Sequence, residues 1–257
     1  MCFLKHRDGL RYFIELSYNG KGYHGWQNQP NAISVQEVLE RALSTLLNTP
    51  ISIMGAGRTD AGVHASQMFA HFDTVAVFNP QDLVFKLNSF LPNDIAVASI
   101  FLVKPESHAR FHATSRTYLY RVAVRKNVFA FDASFYVKQV LDLDRMNAAS
   151  KILLEYKDFQ CFSKSKTDVK TYHCDIMKAE WLVKDGEIHF VIQANRFLRN
   201  MVRAIVGTLI NIGLGKMDAA ELHQIIASKN RSEAGFSVPA HGLYLTHIEY
   251  PEDIIDE

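Results

Sequence analysis

Residues 51–73, ISIMGAGRTDAGVHASQMFAHFD, decide the fold. Residues 51–54 read as a short strand running into a glycine-rich stretch, and residues 67–73 as the next strand, with Met68, Ala70 and Phe72 on one face. Glycines on both sides of Arg58 and Asp60 exceed the one or two that a surface turn needs to reach positive φ. A dinucleotide-binding turn requires glycine where this chain has Asp60, whose charge repels a pyrophosphate. It also requires a helix afterwards, whereas this segment runs into a strand. The glycines therefore shape a strand-to-strand loop.

Working outward, LRYFIELSY (10–18) alternates as a strand, and YNGKGYHG ends it with three glycines. Ser34 and Glu37 have the spacing of a capping box. The helix that follows carries Val35, Val38, Leu39, Ala42, Leu43, Leu46 and Leu47 as its apolar stripe, and Pro50 stops it. Beyond the decisive stretch, PQDLVFKLNSFL begins a second helix near Pro80, and DIAVASIFLV closes the half as a strand. The order β-α-β-β-α-β is the split ferredoxin-like arrangement.

The second half repeats this order loosely. RTYLYRVAV is a strand with Tyr118, Tyr120 and Val122 on one face, and LDRMNAASKILLEY is a helix. A hairpin turns on Asp185-Gly186, a type I′ signal. LRNMVRAIVGTLINIG is a helix ending at Gly213, Asp218 opens another, and GLYLTHIEY is the last strand. The expected class is α+β, two ferredoxin-like βαββαβ halves side by side with a cleft between them. Residues 1–109 form the first half, with the Asp60 loop, and 110–257 the second.

The 257 residues are 48% hydrophobic and 21% charged, the balance of an ordinary globular protein. No apolar run is long enough to span a bilayer and the N-terminus lacks a signal-peptide core, so a cytoplasmic location is expected. Cys2, Cys161 and Cys174 form no CxxC pair, which fits a reducing compartment; Cys161 and Cys174 with His173 make a poor zinc signature. The formal net charge is +1, but the last seven residues carry four carboxylates and no base, leaving +5 on the first 250. Basic residues cluster at Arg121, Arg125 and Lys126, at Lys164, Lys166 and Lys170, and at Arg196, Arg199 and Arg203. Such groups are usually solvated faces; lining one cleft is the alternative reading.

Two chemistries compete for the glycine loop. Asp60, His64 and His71, with His24, are metal-ligand types, but Gly62 breaks the helix that would converge them, and such histidines are more often structural. The other reading is a single catalytic carboxylate, Asp60, beside glycines that admit a planar substrate. Arg203, amid Met201, Val202, Ile205 and Val206, is the candidate partner of its charge; a snorkelling surface arginine is the alternative.

Six segments then carry a resemblance: LSYNGKGYHGWQNQP, GRTDAGVHA, LNSFLPNDIAV, HARFHATSRTYLYRV, FLRNMVRAIVG and PAHGLYL. In sequence and order they resemble the TruA family of tRNA pseudouridine synthases, over residues 16–245. The resemblance implies the pseudouridine synthase fold with a basic RNA-binding cleft. It implies conversion of uridine to pseudouridine at positions 38, 39 and 40 of the tRNA anticodon stem-loop, by a homodimer without cofactor or metal. It assigns Asp60 as the catalytic aspartate, Arg203 as its basic partner, Tyr118 as the tyrosine packed on the target base and Arg58 as an RNA contact near the extruded base.

Tyr23, Trp26 and Gln27 are further candidate RNA contacts, with an aromatic corner packed on the sheet as the alternative. Arg110 and Arg116 are candidates for phosphates, against surface salt bridges. Ser107 departs from the family, which has an aromatic before HAR, and a local packing change is expected there. A catalytically idle tRNA-binding or folding factor on the same scaffold is the rival function. The triad Asp60, Tyr118 and Arg203 speaks against it, because a binder has no need of the carboxylate. A metal-dependent hydrolase is a second rival, distinguished by sensitivity to chelators.

Overall fold

The computed structural model describes residues 9–164 and 169–255, an α+β chain in two compact units. The first runs to Thr114 and takes back the chain from Ile248; the second is Ser115–His247. The sequence reading divided the chain at 109/110 and left the tail with the second half. The tail belongs with the first unit because Tyr250 packs edge-on against Phe13 and Phe69, each at 5.3 Å, and its hydroxyl donates to the Ala109 carbonyl at 2.5 Å.

In the first unit the order is β1 (Leu10–Tyr18), α1 (Val35–Leu47), β2 (Met54–Gly55), β3 (His64–Thr74), α2 (Pro80–Phe90) and β4 (Ile95–Leu102). β1 is central, antiparallel to both β3 and β4, and β2 adds to β3. Phe13, Ile14, Leu16, Met68, Ala70 and Phe72 are almost wholly buried, as are Leu39, Leu43 and Leu87 of the two helices. Ser34 caps α1 by accepting from the Glu37 N–H at 3.1 Å, while its hydroxyl donates to Asn28. The helix ends at Asn48, in the left-handed region at φ 51°, before Pro50 is reached. Of the expected strand at 51–54 only Met54 joins the sheet, followed by Gly55. The N–H groups of Ile51 and Ile53 donate instead to Ser44 and Glu40 of α1, so helix side chains take the bonds a ladder would have used.

In the second unit the elements are β5 (Ser115–Ala123), β6 (Phe135–Tyr136), α3 (Leu143–Ile152), β7 (Ile176–Lys184), β8 (Glu187–Ala194), α4 (Met201–Gly213), α5 (Ala219–Ser228) and β9 (Leu243–Glu249). The strand order is β9-β5-β8-β7, with β6 parallel beside β5. The β7–β8 hairpin turns with Asp185 at φ 52° and Gly186 at φ 79°, the paired positive φ of a type I′ turn. Asp218 and Glu221 close a full capping box on α5. Between residues 201 and 210, every position of α4 except Arg203 is buried.

Cys161 and Cys174 are buried, which pushes their thiols up to about 12 and about 11.

Candidate active site

Asp60 lies half-buried on the loop between β2 and β3, two residues after the exposed Arg58. The loop is held at both flanks. The Ala56 N–H donates to the Phe69 carbonyl at 2.8 Å, and the Asp60 carbonyl accepts from Val63 N–H at 3.1 Å. Thr59 is held twice: its hydroxyl meets the Tyr18 hydroxyl at 2.8 Å, and its carbonyl accepts from the Trp26 N–H at 3.3 Å. Gly62 N–H donates to the Tyr23 carbonyl at 3.3 Å.

The second wall of this loop is the segment after β1, and its glycines answer for part of the pattern. A Cβ on Gly20 would collide with the Val63 carbonyl, and one on Gly25, which sits at φ 93°, with the Thr59 carbonyl. Backbone thus lies directly on backbone, and side chains are excluded by contact with the Asp60 loop. Gly55 leaves room for the Trp26 indole in the same way. Trp26 is 2% exposed and Tyr23 7%, with the Tyr23 hydroxyl donating to Asp94 at 2.6 Å. Burial, then Asp94, pushes the Tyr23 phenol well above its ordinary range. Both rings pack inward beneath the loop, and Gln27 is half-buried beside them. Thr59 and Tyr18, which lock the loop, carried no sequence signal apart from lying in the quoted motifs.

His64 and His71 are both buried, and each spends Nδ1 on a backbone N–H: His64 accepts from Gly20 at 3.1 Å, His71 from Ala109 at 3.2 Å. Among the described residues no three His, Cys, Asp or Glu side chains converge on a metal position. Burial, with the charges of Arg11 and His108, holds His71 down to about 4. Arg11 forks onto Asp73 at 2.7 and 2.8 Å and holds that carboxyl low by its hydrogen bond. It also donates to the Ser107 carbonyl at 2.9 Å.

Because His71 is favoured neutral in the fold, its contribution is intact above pH 6.5 and is lost as pH falls towards 4. The urea midpoint is therefore expected to drop between pH 7 and pH 5 by the equivalent of about 2 kcal/mol. His71→Gln should flatten that slope when both proteins are unfolded at the two pH values.

Ser107 is buried against the C-terminal tail. The side chain is 2% exposed and its hydroxyl donates to the Ile254 carbonyl at 3.3 Å, so the C-terminal tail takes up the surroundings of this small residue. Arg110 is exposed, its guanidinium 5.6 Å from the Phe111 ring centre.

In the second unit, Tyr118 is half-buried on β5, with Phe197 edge-on at 5.1 Å. Arg116 on the same strand donates to the Asn195 carbonyl at 2.8 Å. Arg203 projects from the first turn of α4, and its Nε donates to the Val238 carbonyl at 2.7 Å. The next residue of that segment, Pro239, accepts from the buried Tyr120 hydroxyl at 2.9 Å. Residues 238–239 thereby tie α4 to β5, fixing the two elements that carry Arg203 and Tyr118. Of the basic groups, Arg121 is committed to Glu187 at 2.8 Å, and Lys166 lies outside the described residues.

A family model described as tRNA pseudouridine synthase matches residues 16–113 and 149–251. The chain belongs to the tRNA pseudouridine synthase family. Its similarity to curated members is close to full length. A Bacteroides thetaiotaomicron protein named tRNA pseudouridine synthase A is 52% identical over 250 residues, 96% of this chain and 93% of that one. A Parabacteroides distasonis protein of the same name is 52% identical over 248 residues, covering 95% and 97%. One from Shewanella baltica is 39% identical over 252 residues, covering 95% and 94%. This pseudouridine synthase family member holds Asp60 and Arg58 in its first unit, and Tyr118 and Arg203 in its second.

Proposed function

We propose that this enzyme converts uridine to pseudouridine at positions 38, 39 and 40 of the tRNA anticodon stem-loop, with Asp60 as its catalytic carboxylate. The observation that carries the reading is the clamped loop: Thr59, just before the carboxylate, is fixed by side-chain and backbone hydrogen bonds, and the Asp60 carbonyl and Gly62 are tied by backbone bonds after it, so Asp60 is presented from a fixed backbone. The reaction is an isomerisation. The N1–C1′ bond breaks, the ring turns, C5 bonds to C1′, the C5 proton leaves and N1 takes up a proton. No electrons or groups are exchanged with a second substrate, so residues for a cofactor are not needed.

The target uridine has to leave its stack at a cost of a few kcal/mol. Arg58 fills the gap, and Tyr118 holds the detached ring on a face that tolerates rotation, a stacking worth about 1–3 kcal/mol. Arg203, anchored through Nε on α4, pairs with the Asp60 charge. On this reading the two units are ferredoxin-like halves about a basic cleft, and the protein works in the cytoplasm as a homodimer with Arg110 and Arg116 on phosphates. The idle folding factor predicts the same binding and no chemistry.

The test is position mapping. Transcripts with uridine at only one of 38, 39 or 40 are incubated with enzyme, and pseudouridine is located by carbodiimide modification and primer extension. Product at those positions and no others supports the reading; product elsewhere in the tRNA overturns it. Binding to the same transcripts is also expected to weaken at least tenfold when salt rises from 50 to 200 mM, as phosphate contacts require. A flat salt response would remove the basic cleft.

A further inference from the structure

Gly57 has none of the structural reasons that explain the glycines around it. Its φ lies outside the left-handed region, and a Cβ built on it meets nothing within 4 Å. Gly20, Gly25 and Gly55, by contrast, are each pressed against backbone or a ring. The Gly57 peptide is also polar and idle: among the described residues neither its N–H nor its carbonyl has a hydrogen-bond partner. Next to it the exposed Arg58 guanidinium has no ion-pair or hydrogen-bond partner among the described residues. This open, unpaired stretch is not slack chain, since Ala56 on one side and Thr59 on the other are fixed by the bonds described above. Gly57 and Asp60 are three positions apart, at most about 10 Å of chain.

We infer that the Gly57 peptide docks the ribose-phosphate of the target nucleotide, its N–H donating to a phosphate oxygen while the RNA backbone lies over the face that carries no side chain. The inference rests on the reading of the Asp60 loop as the active site. A cation and a rigid, unpaired amide side by side are the donors a phosphate takes, and the absence of a side chain lets the RNA backbone approach the protein backbone to hydrogen-bond distance. The contact positions the nucleotide and carries no base preference. Gly57 is thus a positioning residue whose effect falls on the approach of the substrate to Asp60.

Gly22 supplies the internal control. Its Cβ would meet only Asp94 Oδ2 at 3.7 Å, an ordinary contact, and its φ is also outside the left-handed region. Wild type, Asp60→Ala, Gly57→Ala, Gly57→Val and Gly22→Ala are compared by tritium release from [5-³H]uridine tRNA, by tRNA affinity and by thermal melting. Gly57→Ala is expected to melt at or slightly above the wild-type temperature, because the space is open and alanine narrows the unfolded ensemble. Its KM for tRNA should rise at least tenfold, with a smaller change in kcat, and Gly57→Val should lose more. Gly22→Ala should match wild type in both readouts. Full activity in Gly57→Ala, or a lowered melting temperature, would overturn the inference. Absence of release from wild type would instead overturn the proposed function, so the two failures are distinct.

Discussion

Asp60→Ala is expected to lower tritium release by at least about 10⁴-fold, the scale on which enzymes lose rate when their one reacting group is removed. tRNA affinity should stay within a few-fold of wild type. The loop bonds run through Thr59, the Asp60 carbonyl and the backbone of residues 56–63, and alanine retains that backbone. The loop should therefore keep its path, and the melting temperature should fall by only a few degrees. Asp60→Asn, of equal shape, should be as inactive, which assigns the loss to the charge. Single-turnover rates with enzyme in excess, read beside a filter-binding titration, separate the chemical defect from any change in affinity. An Asp60→Ala protein that retains a tenth of wild-type release would move the chemistry to another residue.

Gly25→Ala is expected to be strongly damaging for a single added methyl. At φ 93° an alanine carries backbone strain of order 1–3 kcal/mol. Its Cβ would in addition overlap the carbonyl of Thr59, which is backbone and has no rotamer to change. The collision is relieved only if the Asp60 loop or the 20–26 segment shifts, breaking the Trp26–Thr59 bond. A total of about 2–4 kcal/mol should appear as a melting temperature lowered by roughly 5–10 °C. The protein that remains folded should release tritium at least about 10²-fold more slowly, because a carboxylate displaced by about 1 Å is no longer aimed at the reacting atoms. Wild-type melting and activity in Gly25→Ala would show that the two segments do not bear on each other as described.

Much of this was legible in the sequence because period and turn chemistry are local. The strand expected over 67–73 is legible because a segment alternating in apolar residues cannot also present a helical stripe. Asp185-Gly186 and the Asp218 cap are likewise written in single residues. What failed to show was settled by distant partners. Nothing in ISIM announces that Ser44 and Glu40 will take its N–H groups, and nothing before Pro50 says that Asn48 will turn left-handed first. The tail's return to the first unit depends on Tyr250 meeting Phe13 and Phe69, more than 180 positions away along the chain.

At the site the same division holds. Arg58, Asp60 and the glycines stand out by composition. The reasons for the glycines do not, since Gly20 and Gly25 are explained by carbonyls of another segment and Gly57 by no part of the protein. Trp26 and Tyr23 looked equally suited to stacking on RNA or to packing inward; their burial beneath the loop comes from Gly55 and Asp94, which sequence spacing does not connect.

The central claim is that a single carboxylate on the clamped loop isomerises uridine in tRNA. It is tested most directly by incubating purified protein with [5-³H]uridine anticodon-arm tRNA, with EDTA present and no cofactor added, and following tritium release to water. The account predicts wild-type release of tritium in step with pseudouridine at the mapped positions, undiminished by EDTA. Tight tRNA binding with no release from wild-type protein would contradict it and leave the glycine loop as a docking surface without chemistry.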